Sequence, residues 1–167
     1  PQNNKLTALD ITKNTALERL DVTNNLITSI DFTKNTKLNY LKISDNKFEG
    51  ALDLSCNPSL KTVYALNMGI TEVNLGENKA DKPYFSFNNN KLTSFDASKL
   101  DNLSNGTLFL IGNQIKSFTM PAGGNIKTLN ISKNCMTLET LPIFTSKGYN
   151  YAPQADLAVN ESYNVKD

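Results

Sequence analysis

The stretch Leu17-Glu-Arg-Leu20-Asp-Val22-Thr-Asn-Asn25-Leu-Ile27 decides the fold, because the chain repeats it. The next copies are Leu38-Asn-Tyr-Leu41-Lys-Ile43-Ser-Asp-Asn46-Lys-Phe48 and Leu60-Lys-Thr-Val63-Tyr-Ala65-Leu-Asn-Met68-Gly-Ile70. Weaker copies carry Phe85, Phe87, Asn90 and Leu92, then Leu108, Leu110, Asn113 and Ile115, then Leu129, Ile131, Asn134 and Met136. The aligned Asn or Met positions are 25, 46, 68, 90, 113 and 134, with spacings of 21, 22, 22, 23 and 21. A fixed period of this length is the signature of a solenoid. A half-period nests inside each copy: Ile27-Thr-Ser-Ile30-Asp-Phe32-Thr-Lys-Asn35 repeats the order of apolar and polar residues and ends on asparagine, as does Leu6–Asn14. Both halves alternate with period 2 over a few residues, which predicts short strands and leaves no room for an α-helix.

Working outward, the inward residues of one turn cannot close a core alone. Stacked at the strand spacing of ~4.8 Å, they form a continuous apolar column. That column is predicted to contain Leu17, Leu20, Val22, Ile27, Ile30 and Phe32 with their later equivalents. The asparagines at the bends can bond backbone groups of their own and the neighbouring turn. Asn25, Asn46, Asn90, Asn113 and Asn134 are expected to form one structural ladder, and Asn14, Asn35, Asn57 and Asn78 a shorter second one. Met68 interrupts the first; Leu100 and Gly123 stand where the second would continue. The stretches Lys79–Pro83 and Asp101–Gly106 break the pattern and are expected to loop outward.

The repeat resembles the leucine-rich repeat, and its nested halves resemble the short bacterial variety called IRREKO-type. The resemblance covers roughly residues 6–136. It implies a leucine-rich repeat solenoid, mostly β, with parallel strands on a concave face, short strands or turns on a convex face, and little or no helix. The ending Thr140-Leu141-Pro142 … Tyr149-Asn-Tyr151-Ala-Pro-Gln resembles the C-terminal cap of secreted bacterial repeat proteins, which commonly leads into further modules. The domain reading is a repeat domain over 1–152, of about six turns over 6–136 and a cap over 137–152, followed by 153–167 as a tail or the start of another module. The opening Pro1 and the absence of a signal peptide suggest a mature or trimmed chain whose N-cap is missing or very short.

Composition narrows the functions. The 167 residues carry 17 Lys plus Arg against 16 Asp plus Glu, a net charge of +1, so nothing points to nucleic acid or an anionic membrane. No apolar run reaches the ~20 residues that span a bilayer, so no direct membrane insertion is expected. Histidine is absent, which removes His-based triads and His zinc sites. Cys56 and Cys135 are too few for a Cys₄ site and more than three turns apart, too far for a disulfide; both are expected to be free thiols. Asparagine is abundant, with 24 residues, as repeated building of one turn requires. The outward column Asp10, Asp31, Asp53, Asn74 and Asp96 could in principle attract calcium. It lacks the Gly-x-Gly-x-Asp spacing of calcium repeats, and Lys13, Lys34 and Lys99 lie three residues beyond three of its aspartates, so a solvated face is preferred. No metal and no cofactor are expected. The acceptor pattern for glycosylation at Asn102, Asn105, Asn130 and Asn160 is what chance gives in so Asn-rich a chain.

The residues flanking the apolar ones on each first-half strand point outward. In register they form three rows. The first is Arg19, Tyr40, Thr62, Tyr84, Thr107, Thr128; the second Asp21, Lys42, Tyr64, Ser86, Phe109, Asn130; the third Thr23, Ser44, Leu66, Asn88, Ile111, Ser132. Tyr40, Tyr64, Leu66, Tyr84, Phe109 and Ile111 would make one aromatic and aliphatic patch, with Arg19, Asp21 and Lys42 at its rim. Such a patch often marks a binding surface, although cross-strand aromatic pairs also stabilise a sheet by themselves. The favoured reading is a non-catalytic recognition module, a monomer, that holds a protein or carbohydrate on its concave sheet. A passive spacer presenting neighbouring domains ranks second. An enzyme ranks well below, because a pair such as Glu18 and Asp21 has no cleft around it. The family resemblance implies secretion or display at a bacterial cell surface.

Overall fold

The computed structural model describes residues 3–137, 139–142 and the backbone of 149–150. The chain is a β-solenoid, and among the described residues it contains no α-helix. One half of each turn supplies a strand to a seven-stranded parallel sheet. These strands are β1 (Arg19–Asp21), β2 (Tyr40–Lys42), β4 (Thr62–Tyr64), β6 (Tyr84–Ser86), β8 (Thr107–Phe109), β10 (Thr128–Asn130) and β11 (Tyr149–Asn150), in that order. The register is that of the repeat. Arg19, Tyr40, Thr62, Tyr84, Thr107 and Thr128 are successive partners, as are Asp21, Lys42, Tyr64, Ser86, Phe109 and Asn130. Of the expected cap, β11 pairs with β10 through Leu129↔Tyr149; residues 138, 143–148 and 151–152 lie outside the described residues.

The other half of each turn behaves differently. Strands β3 (Glu49–Asp53) and β5 (Gly69–Asn74) pair with one another, and so do β7 (Ser94–Asp96) and β9 (Ser117–Thr119). The equivalent segments at 6–11 and 27–32 form no strand. Pairing on this side is lost at particular junctions rather than evenly. Grooves open there: one between Thr28–Thr33 and Phe48–Cys56, another between Glu72–Gly76 and Phe95–Leu100.

Between the two sides runs the core. Leu41, Val63, Phe85, Leu108 and Leu129, the middle residues of the concave strands, are at most 1% exposed, and so are Ile43, Ala65, Phe87, Leu110 and Ile131 two positions on. Leu17 and Ile30 are half-buried, Leu17 in the first turn and Ile30 beside the convex grooves. In the later turns the column fills with rings: Phe87 and Phe95 lie 6.1 Å apart, and Phe95 stacks on Phe118 at 6.0 Å. The irregular stretches do not simply loop outward. Asp101–Asn105 is a single 3₁₀ turn whose Leu103 is fully buried, and Asn102 donates to Asn78 Oδ1 at 2.7 Å. Gly106 then passes so close to Pro83 that a Cβ would meet its carbonyl oxygen at 2.8 Å, which leaves glycine the residue that fits.

Each turn has two corners, built by different chemistry. At the exit of the concave strand a residue adopts the left-handed conformation: Asn24, Asp45, Asn67, Asn89, Gly112 or Lys133, with φ between 55° and 69°. Asparagine and aspartate tolerate this region better than most, and glycine tolerates it best. The next residue is the buried asparagine. Asn46 Nδ2 donates to the carbonyls of Ile43 and Ser44 in its own turn and of Val22 in the preceding one, while its Oδ1 accepts the Ile27 N–H. Asn90, Asn113 and Asn134 repeat this scheme, and Asn25 donates to Val22 O and Thr23 O in its own turn while its Oδ1 accepts the Leu6 N–H of the preceding one. Met68 breaks the sequence of bonds: Val22, Phe87 and Leu110 carbonyls each receive two such amides, Ile43 and Ala65 one each.

The second corner is two linked turns, with Asn35 N–H bonded to Phe32 O and Leu38 N–H to Asn35 O. Asn35 and Asn57 are fully buried and donate to carbonyls of the preceding turn. Their Oδ1 atoms have no hydrogen-bond partner among the described residues. Asn78 donates to Leu60 O, and Asn14, at the open end, is exposed.

Candidate functional site

The concave sheet presents three outward rows, and the second residue of each strand faces the core beneath them. Tyr84 and Phe109 belong to the outward set, because Phe85 and Leu108 take the inward places. Strand spacing then decides the contacts. Tyr64 and Tyr84 lie 5.2 Å apart with a tilt of 37°, and Tyr84 meets Phe109 edge-on at 5.6 Å and 81°. Both separations suit the ring quadrupole. The rings therefore cover one another. Tyr40, Tyr64, Leu66, Tyr84, Phe109 and Ile111 are all half-buried, and among the described residues the large apolar side chain that stands exposed is Leu26, one residue past the Asn25 corner.

Cations close the N-terminal end of the row. The Arg19 guanidinium sits 3.9 Å from the centre of the Tyr40 ring. The Lys42 ammonium lies between two rings, 5.5 Å from Tyr40 and 4.9 Å from Tyr64, in the geometry of cation–π attraction. Its hydrogen bond to the Tyr40 hydroxyl, with the Asp21 charge nearby, holds the ammonium above the ordinary lysine value. Burial pushes the Tyr84 phenol above the ordinary tyrosine value, and the Tyr64 hydroxyl beside it adds to the shift. Asp21 is itself pinned, accepting the N–H and the hydroxyl of Thr23 at 3.1 and 2.8 Å.

The structure thus brings eight of the nine candidate residues into one continuous surface: Arg19, Tyr40, Lys42 and Asp21 through charge, then Tyr64, Tyr84 and Phe109 through ring contact, with Leu66 beside Tyr64. Ile111 stands on the same face farther along, its N–H held by Asn88 Oδ1 at 2.8 Å. A feature absent from the sequence-based expectation lines the edge of this surface. Asn67 Nδ2 donates to Asp45 Oδ1 and Asn89 Nδ2 to Asn67 Oδ1, each at 2.8 Å; Asn24 donates to Asn3 in the same way. This exposed amide rail ends at Gly112, where a Cβ would stand 2.6 Å from Asn89 Oδ1. The signal for it lies in the sequence: at the first corner Asn24, Asp45 and Asn89 precede ladder asparagines and Asn67 precedes Met68, whereas Lys13 and Lys34 stand at the second.

The convex carboxylates cap their own turns. Asp10 and Asp31 each accept a threonine N–H and hydroxyl two residues on, and Asp53 and Asp96 accept the N–H of Ser55 and Ser98. These bonds hold Asp10, Asp31 and Asp96 below the ordinary carboxylate value. Among the described residues no group of His, Cys, Asp or Glu is arranged to hold a metal ion. Cys56 is exposed, Cys135 half-buried, and both are free thiols. No helix among the described residues is long and apolar enough to cross a membrane.

No model of a known family matches the chain, and no curated protein does. Among solved structures it is similar to a functional domain of InlJ from Listeria monocytogenes that includes a cysteine ladder, with 19% identity and a TM-score of 0.36. The alignment covers 80% of this chain and 38% of that one, so the chain spans under two-fifths of that domain's length. By its repeat spacing and its parallel strand register the protein is a β-solenoid of short repeats. Its repeating buried polar residue is asparagine.

Proposed function

We propose that the protein is a non-catalytic recognition module that holds a protein or a glycan on its concave sheet, secreted or displayed at a bacterial cell surface. We read its turns as the short nested variety of the repeat, and residues 137–152 as their C-terminal cap. The observation that supports recognition is the run Tyr64–Tyr84–Phe109, joined to Tyr40 through Lys42, on a face with nothing packed over it among the described residues. Tyrosine combines rigid area with a polar tip, and little side-chain entropy is lost when it is covered. Tyr40→Ala, Tyr64→Ala and Tyr84→Ala combined should abolish capture from a mixed panel of glycans and proteins, while the thermal midpoint moves by only a few degrees. Capture that survives the triple substitution would remove the concave row from consideration.

A further inference from the structure

We propose that the concave face carries a subsite for an uncharged oligosaccharide, in the furrow between the second outward row and the amide rail; this rests on the reading of that face as the binding surface. The furrow follows from side-chain size. In the third row the first two turns place Thr23 and Ser44, whereas the third and fifth place Leu66 and Ile111. Small floor residues between taller walls leave a depression of about 340 Å³ that ends at Leu66. It spans β1, β2 and β4, two strand gaps or ~10 Å, room for one or two sugar rings lying along the axis. Asp21, Lys42 and Tyr64 form one wall, and Asn24, Asp45 and Asn67 the other.

The chemistry of these walls selects the ligand. A sugar hydroxyl both donates and accepts, and a site for it needs both kinds of partner at fixed positions. Acceptors and donors alternate here: the Asp21 carboxylate faces the Lys42 ammonium across one strand gap, and the amides of Asn24 and Asn67 lie opposite. Lys42 offsets Asp21, and the second carboxylate, Asp45, accepts the Asn67 amide, so the walls carry one net negative charge, which disfavours an anion and leaves fixed donors and acceptors for neutral hydroxyls. The polar atoms are already held. Thr23 pins Asp21, two rings hold Lys42, and Asp45 and Asn89 hold Asn67 from both sides. Preorganised groups lose little freedom when a ligand arrives. Tyr64 supplies an amphipathic ring beside them. A protein partner is the weaker fit, because the furrow spans only three strands and its walls are polar apart from the Tyr64 ring.

The test uses the full chain, a panel of neutral hexasaccharides (β-1,4-glucan, α-1,4-glucan, β-1,4-mannan, β-1,4-xylan and β-1,4-linked N-acetylglucosamine), polygalacturonate, and deglycosylated collagen and fibronectin. The diagnostic variant is Thr23→Leu, which puts into the furrow the side chain that Leu66 already carries in the same row and leaves the tyrosines untouched. Binding of at least one neutral hexasaccharide, weakened tenfold or more by Thr23→Leu at an unchanged melting temperature, supports the subsite. If Thr23→Leu unfolds the chain, Asn67→Ala replaces it with the same expected loss. Neutral-sugar binding that ignores both variants but disappears with the three tyrosines overturns the furrow and leaves the concave row standing. Binding of polygalacturonate or the proteins alone overturns the choice of ligand. Failure to bind any probe counts against the subsite and the concave reading together.

Discussion

The two halves of each turn obey one sequence pattern and yet build different structures. On the concave side seven strands pair without a break, and the corner asparagines satisfy both their donors and their acceptors. On the convex side pairing survives in two isolated couples, grooves open between turns, and the Oδ1 atoms of Asn35 and Asn57 lack hydrogen-bond partners among the described residues. The alternation of apolar and polar residues fixes which side chains face inward on both sides. It does not fix pairing, which on the convex side is kept at some junctions and lost at others. The teaching is functional as well: the continuous side holds its outward rows at a constant spacing, which a multi-turn recognition surface needs.

The sharpest way to break this comparison is to remove an amide from each corner. Asn46→Ala leaves the Ile43 carbonyl and the Ile27 N–H without this partner in a buried place and takes one of two donors from the Val22 and Ser44 carbonyls. Chemical denaturation should show a loss of about 3 kcal/mol, since each buried group left unpaired costs about 1–3 kcal/mol. Asn57→Ala removes two bonds and one already unpartnered oxygen, and should cost less, roughly 1–2 kcal/mol. Equal losses would mean that the two corners are energetically alike. Gly112→Ala tests the left-handed corner. At φ 69° and 2.6 Å from Asn89 Oδ1, a methyl group should cost roughly 1–2 kcal/mol in the same measurement. Met68→Asn repairs the interrupted ladder and gives the Ile43 carbonyl its second amide. It should raise stability by about 1 kcal/mol, and a neutral result would mean that the Met68 side chain contributes as much by packing.

The smallest effect is electrostatic and confined to the convex side. Hydrogen bonds from Thr12, Thr33 and Ser98 hold Asp10, Asp31 and Asp96 below 3.8, the ordinary value. The folded chain therefore binds protons less readily than the unfolded one. This contribution is complete above the ordinary value and is lost as the pH falls through the lower folded values. A melting series toward acid should show a shallow decline that flattens when all three become asparagine. Asn74, in the same row, caps Gly76 without a charge.

Much of this was legible in the residues, for identifiable reasons. Parallel register follows from the repeat spacing, because each copy can pair only with its neighbours when the inward leucines must stack. The outward rows follow from the same register. What could not be read is where the convex side parts, since no single residue marks it. The Asp101–Asn105 turn was hidden because an insertion looks like a bulge until Leu103 is seen to be buried. The amide rail was missed for another reason: Asn24, Asp45, Asn67 and Asn89 precede the ladder positions, Met68 included, and read as ordinary turn residues, although their tolerance of positive φ is what the corner uses. The furrow was missed because Thr23 and Ser44 matter by being small.

One measurement tests the division of labour between the faces. Capture from the mixed panel is compared for the unaltered chain, the Tyr40/Tyr64/Tyr84 alanine variant, and Ser29→Trp, which fills the convex grooves that Ser29 lines. Recognition by the concave rows requires that the first variant lose capture and the second retain it. Loss with Ser29→Trp and retention without the tyrosines would move the binding surface to the convex side and contradict the account.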